Sequence, residues 1–120
     1  GEENYITTYY GSLVRSIEML QEKYPHLDIV LASGYPTYLK DENGNLLMGY
    51  TEDFGEGTLS KYVALEYLAS VQYNLSYIDN YYYKINENNI ERYVDVQRLN
   101  DDGIDLVGNH VAEFLKKMNW

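Results

Sequence analysis

Residues capable of acid–base chemistry concentrate near the carboxyl terminus, where Asp101, Asp102 and Asp105 precede His110. An imidazole titrates near neutral pH, so His110 is a candidate general base, with an exposed histidine at the start of a helix as the simpler alternative. The three carboxylates could hold a hard cation, but carboxylates in a loop more often stay solvated or cap the following helix. We therefore predict no metal site and no cofactor.

Two other segments carry residue types associated with catalysis or metal binding. Ser33-Gly34-Tyr35-Pro36 follows an apolar run but lacks the Gly-x-Ser-x-Gly elbow of a nucleophilic serine, which favours a turn residue. The segment from Asp41 to Glu52 has the spacing of four calcium-loop ligands, yet Leu46 replaces the glycine that such a loop requires. Because strand-like residues flank this segment, a hairpin with an Asn-Gly turn is the better prediction.

Two helices are predicted from apolar periodicity and a third from a nearly continuous apolar segment. Spacings of three and four residues predict an amphipathic helix over 6–24 that Pro25 ends, and a closing helix that includes Val111, Phe114 and Met118. The segment 59–73 has few polar interruptions, which indicates a helix covered on most of its circumference. These helices are the elements available to cover a sheet.

The strands lie between these helices. Residues 28–32 form an almost continuous apolar run, typical of a parallel strand buried on both faces, and residues 75–83 alternate as a second strand does. A hairpin is predicted over 38–50, and 86–93 reads as a loop or short helix. Alternation of this kind predicts an α/β fold with helices on both faces of a parallel sheet. Two main strands make a narrow sheet, since about four to six are usual.

Composition limits the classes of function. The 120 residues fit one domain spanning 1–120, and a net charge of −10 disfavours nucleic acid and anionic membrane surfaces as partners. No apolar run approaches the ~20 residues of a membrane span. The absence of cysteine excludes disulfides and thiolate sites but leaves the compartment open, cytoplasmic or secreted. Fifteen tyrosines favour core-edge packing, or a platform for sugars or a protein partner.

The segment Leu99-Asn100-Asp101-Asp102-Gly103-Ile104-Asp105-Leu106 resembles the final conserved block of the SGNH, or GDSL-like, esterase and lipase superfamily, in which Asp-Gly-Ile-His-Leu precedes a closing helix. Tyr24-Pro25, Ile29-Val30-Leu31 and Tyr77-Ile78-Asp79 resemble other segments of that family in the same order. The resemblance covers nearly the whole chain but only the carboxyl-terminal two-thirds of the family fold. It implies a fragment of a three-layer, flavodoxin-like SGNH-type fold with a hairpin excursion.

The resemblance also implies a catalytic arrangement. In that family an amino-terminal serine attacks an ester, a histidine activates it, and an aspartate three residues before the histidine orients the imidazole. Asp102 matches this aspartate, whereas Asp105 occupies the histidine position. The nucleophile block Gly-Asp-Ser-Leu is absent, and Gly1-Glu2-Glu3-Asn4 matches the Gly-x-Asn-Asp block only weakly. The implied catalytic residues are Asp102 and, as the remaining candidate base, His110.

Three functional hypotheses follow. The first is part of an SGNH-type hydrolase for an ester or acylated saccharide, incomplete or inactive as this chain alone. The second is a non-catalytic SGNH-like module that binds a saccharide or a protein, which the Asp105 replacement favours. The third is a domain that completes its narrow sheet by forming a homo-oligomer through an exposed edge.

Overall fold

The computed structural model describes residues 1–49, 52–53 and 57–118. The elements in chain order are α1 Glu2–Lys23, β1 Val30–Ala32, β2 Tyr38–Lys40, β3 Leu46–Met48, α2 Leu59–Gln72, β4 Ser76–Ile78, α3 Ile90–Tyr93, β5 Val94–Asp95, β6 Arg98–Leu99 and α4 Asp101–Lys117. Two compact units are present. Unit 1 lies within Gly1–Ala32 and Tyr50–Tyr77, and unit 2 lies within Ser33–Gly49 and Ile78–Trp120.

The predicted parallel sheet is present in short form. β1 pairs with β4, which confirms a mixed α/β structure with a parallel sheet. The prediction that residues 28–32 are buried on both faces was wrong, because Val30 and Leu31 are half-buried and Ala32 is exposed. In the described part of the chain this sheet has two strands, so β1 is an edge strand and lacks the cover that a central strand receives.

Unit 1 is built on two helices that pack along each other. The contacts, in order along α1, are Glu2 with Lys61, Tyr9 with Glu66 and Tyr10 with Gln72. Because the contact positions advance in the same direction on both helices, α1 and α2 run parallel. Ile17, Val63 and Ala69 form their buried core. α2 confirms the predicted helix, but Tyr67 and Val71 are 56% and 59% exposed, so the prediction that it is covered on most sides was wrong.

Unit 2 begins with the predicted hairpin. β2 and β3 pair antiparallel with Tyr38 opposite Met48, and both of these side chains are buried. The Asp41 carboxylate accepts hydrogen bonds from the backbone N–H groups of Asn43 (2.9 Å) and Asn45 (2.8 Å), which closes the turn. Position 50, the predicted end of the hairpin, lies outside the described residues.

The second predicted strand is shorter than its sequence pattern suggests. The alternation extends to position 83, yet β4 ends at Ile78. The Asp79 side chain accepts hydrogen bonds from the backbone N–H groups of Tyr81 and Tyr82, both at 3.0 Å, and so turns the chain out of the sheet. A further hairpin, β5 with β6, was not predicted, because its turn uses Val96 at φ 58° where glycine or asparagine is usual.

The closing helix begins earlier than apolar periodicity indicates. The Asn100 side chain accepts a hydrogen bond from the backbone N–H of Gly103 at 2.9 Å, which is the geometry of a helix N-cap. α4 therefore starts at Asp101, and His110 lies in the middle of the helix. The prediction that His110 stands at the start of the last helix was wrong.

A helix that spans a bilayer must be both long and apolar. α1 is the longest helix at 22 residues, but it carries charged side chains such as Glu2, Arg15 and Glu18 along its length. Within the described ranges, no helix is both long and apolar enough to cross a membrane.

Candidate functional site

Polar side chains meet in unit 2 just beyond the ends of two parallel strands. Ser33 directly follows β1, and Asn80 lies two residues past β4. In open α/β sheets the carboxyl edge of parallel strands is where ligands usually bind. Within unit 2, the ring of His110 on α4 hydrogen-bonds to Asn80.

Ser33 is a structural residue of this edge. Its side chain is buried, and its Oγ accepts hydrogen bonds from the backbone N–H groups of Asn80 (2.9 Å) and Tyr81 (3.0 Å). The Ser33 carbonyl also accepts a hydrogen bond from Asn80 Nδ2 at 3.1 Å. A hydroxyl whose lone pairs are committed in this way is a poor nucleophile.

The hydrogen bonds around Asn80 determine the tautomer of His110. Because Asn80 Nδ2 donates to the Ser33 carbonyl, its Oδ1 is the acceptor that faces the imidazole. The distance from His110 Nδ1 to Asn80 Oδ1 is 3.0 Å, so Nδ1 must carry the proton. In the neutral ring, Nε2 is then the basic nitrogen.

The His110 ring is further held by stacking and kept neutral by its surroundings. Tyr83 lies parallel to it, with ring centroids 3.5 Å apart and an interplanar angle of 8°. Burial is the main reason that the pKa of His110 is lowered from its ordinary value; the Asp79 carboxylate opposes this shift and the Lys84 ammonium reinforces it. At neutral pH the site therefore holds an oriented, uncharged imidazole that can accept a proton.

The other predicted catalytic residue lies elsewhere on α4. Asp102 is exposed in the first turn, and Asp105, in the position where the resembled family has histidine, is exposed one turn later. Asp102 and His110 are eight residues apart, which is about 12 Å along a helix axis. The structure does not bring these two side chains together, and Asn80 rather than Asp102 orients the His110 ring.

The acidic residues do not form a metal centre in the part of the chain that is described. No three His, Asp or Glu side chains converge there on a common point. In the segment from Asp41 onward, backbone and side-chain hydrogen bonds from Asn45, together with the backbone N–H of Asn43, lower the pKa of the Asp41 carboxyl. This carboxylate is thus committed to closing the hairpin turn.

Two residues of the site were not anticipated from the sequence. Asn80 falls inside the strand predicted over 75–83, and its place just beyond a strand follows only from the end of β4 at Ile78. Tyr83 offered no such signal, because tyrosines are frequent along this chain and its stacking on His110 joins positions 27 residues apart.

Comparisons with known proteins establish the fold. No protein-family model matches the chain, and no curated protein matches it. A crystal structure of a protein from Lactobacillus plantarum, solved by the Northeast Structural Genomics consortium, is similar with a TM-score of 0.69 and 18% sequence identity over 91% of this chain. This chain spans about half, 53%, of that protein. At this level of identity the similarity concerns the fold alone.

Proposed function

We propose that this chain is the carboxyl-terminal part of a three-layer SGNH-type domain and contributes to an ester or acyl hydrolase. The observation that carries the proposal is the construction of the first turn of α4. The segment that resembles the family's last catalytic block forms the first turns of this closing helix, whereas in the family it precedes the helix, and Asp102 stands exposed in the first turn. An acylated saccharide or another ester is the expected substrate class.

The Asp102 turn is held rigidly by its neighbours. Asn100 caps the helix through Gly103, and its Nδ2 donates to the Arg92 carbonyl at 2.7 Å. A Cβ on Gly103 would lie 2.1 Å from the Tyr93 carbonyl oxygen, so only glycine permits this approach. The Asp-Gly pair of the motif therefore has a physical basis, because the glycine allows the turn that presents the aspartate.

The proposed reaction combines a base from this chain with a nucleophile from outside it. A serine hydroxyl needs an adjacent base, and Asp105 cannot serve as an imidazole at neutral pH. His110 is the base available in unit 2, with Asn80 holding its Nδ1–H so that Nε2 can take the proton of the nucleophile. Asp102 would supply negative charge from the first turn of α4, about 12 Å along the helix axis from His110.

Ester hydrolysis tests this proposal. We would express the protein from its full gene, so that any nucleophile encoded before Gly1 is present, and follow p-nitrophenyl acetate cleavage. We expect turnover above buffer that falls at least tenfold in His110→Ala, because general base catalysis contributes roughly 10²-fold or more, and that also falls in Asp102→Ala, which removes the charge of the motif aspartate. Asp101→Ala is the matched control, since it removes the neighbouring exposed carboxylate. No turnover above buffer would reject the hydrolase proposal.

A second candidate is a non-catalytic binding module of the same fold, favoured by two observations. Asp105 stands where the catalytic histidine would be, and several tyrosine rings are at least half exposed: Tyr5, Tyr24, Tyr67 and Tyr82. Exposed tyrosines supply rigid amphipathic area for sugars or a protein partner. Association of the chain with itself would be a protein-binding role of this kind, and sedimentation at high concentration tests it.

A further inference from the structure

A groove of about 570 Å³ lies in unit 2 beside His110. Its walls come from two segments, with Tyr83 and Lys84 on one side and α4 residues, including His110, Glu113 and Lys117, on the other. The volume falls within the range of roughly 300–1,000 Å³ that small-molecule sites occupy. The size fits a ligand of one or two sugar rings.

The charge of the groove is opposite to that of the chain. Two ammonium groups, Lys84 and Lys117, face one carboxylate, Glu113, in a protein whose net charge is −10. Among the described residues the ion pairs join Lys40 to Glu91 and Lys61 to Glu2, so neither groove lysine is neutralised by a salt bridge. The residues that line the groove therefore carry one excess positive charge, and the Asp79 carboxylate acts on His110 from outside this lining.

Lys84 is fixed in an uncommon backbone conformation. Its φ of 58° lies in the left-handed region, which costs a non-glycine residue roughly 1 kcal/mol or more. The Asn89 side chain donates a hydrogen bond to the Lys84 carbonyl at 2.7 Å and holds it there. The Lys84 ammonium lies 5.2 Å from the centroid of the Tyr83 ring. The surrounding structure thus maintains a strained residue at the wall of the groove.

His110 supplies a directed acceptor to the same groove. Nδ1 is occupied by Asn80, the ring is stacked on Tyr83, and Nε2 has no hydrogen-bond partner among the described residues. The unprotonated nitrogen of a neutral imidazole accepts a hydrogen bond from a hydroxyl group. Glu113 offers a second acceptor one turn further along α4.

We propose that this groove binds a small carboxylate that carries neighbouring hydroxyl groups, such as an acidic monosaccharide. The carboxylate pairs with Lys84 and Lys117, one hydroxyl donates to His110 Nε2, and another donates to Glu113. The inference goes beyond ester hydrolysis, because it concerns binding of a ligand that has no ester bond. The hydrolase proposal and the binding proposal can therefore be refuted separately, although both involve His110.

Titration of the chain with D-glucuronate, observed through the imidazole NMR signals, tests this site. The chain has two histidines, and His26→Gln identifies the signal of His110. We expect a saturable shift of the His110 signal at millimolar D-glucuronate. D-glucose, which lacks the charge, and acetate, which lacks the hydroxyls, should each bind at least tenfold more weakly. No saturable shift at tens of millimolar D-glucuronate, or equal affinity for D-glucose, would overturn the proposal.

Variants of the groove lysines distinguish binding in the groove from general electrostatic attraction to the protein. Lys84→Gln and Lys117→Gln should each weaken D-glucuronate binding at least fivefold. Lys116→Gln is the matched control, since it removes the same charge from an exposed position of α4 outside the groove and should leave the affinity unchanged. Far-UV circular dichroism verifies that each variant is folded. An equal loss in Lys116→Gln would mean non-specific attraction and would refute the site.

Discussion

Gly103→Ala should destabilise the protein although it replaces glycine with a better helix former. The added Cβ would lie 2.1 Å from the Tyr93 carbonyl oxygen and 3.0 Å from Leu99 Cδ2, so α4 must move by at least about 1.3 Å to reach the ordinary contact distance of 3.4 Å. Overpacking of this kind costs roughly 3 kcal/mol at the upper end of its usual range, and helix propensity returns about 1 kcal/mol. We expect a net loss of about 2 kcal/mol.

Urea unfolding followed by circular dichroism measures this effect. With a typical slope for urea, a loss of about 2 kcal/mol lowers the midpoint by about 1 M. Gly108→Ala is the control, because Gly108 lies on the same helix with no heavy atom within 4 Å of an added Cβ. That variant should gain up to about 1 kcal/mol from helix propensity alone. Equal stability of the two variants would refute the close approach of Tyr93 to α4.

Two further predictions concern buried polar groups. Ser33→Ala removes the acceptor of the Asn80 backbone N–H and leaves the Tyr81 N–H with the Asp79 carboxylate alone. We expect a loss of about 2 kcal/mol in urea unfolding and a shifted His110 NMR signal, and wild-type stability would contradict the role of Ser33. Burial raises the pKa of Glu66 from its ordinary value, against the lowering effect of the Tyr9 hydrogen bond. The folded state therefore keeps this proton longer than the unfolded state, and stability falls as pH rises from that ordinary value through the raised one. Glu66→Gln should reduce this fall between pH 4 and pH 7, whereas Glu3→Gln, at an exposed position, should retain it; the same pH dependence in both variants would refute the effect of burial.

Much of the secondary structure could be predicted from local patterns. The hairpin was predictable because its Asn-Gly turn and the flanking apolar residues are adjacent in sequence. α1 was predictable because its apolar periodicity extends over several turns, and α2 because few polar residues interrupt the apolar segment 59–73. The β5–β6 hairpin was not, since Val96 adopts a positive φ that its residue type disfavours. The end of β4 depends on hydrogen bonds that the Asp79 carboxylate accepts from the backbone N–H groups of Tyr81 and Tyr82, which compete with strand pairing.

The residue types of the candidate site were predictable from the sequence, but the contacts between its residues were not. His110 could be selected because imidazole chemistry identifies it, and Asp102 because its segment resembles a family motif. Asn80 and His110 are 30 residues apart, so no local spacing reveals their contact. The N-cap at Asn100 lengthens α4 toward its amino terminus, which places Asp102 and His110 two turns apart on one continuous helix. The resemblance alone does not show that both residues lie on one helix. Their separation along α4 is what keeps the Asp102 and His110 side chains from forming a pair.

Restoring an imidazole at position 105 tests the proposed relationship to SGNH-type hydrolases most directly. Asp105 lies three residues after Asp102, the spacing at which that family has its histidine. We would compare p-nitrophenyl acetate hydrolysis by the protein expressed from its full gene with that of Asp105→His, using Asp101→His as the control. We expect at least a tenfold higher rate in Asp105→His and no change in Asp101→His. Equal rates in the two variants would contradict the assignment of this turn to a catalytic motif.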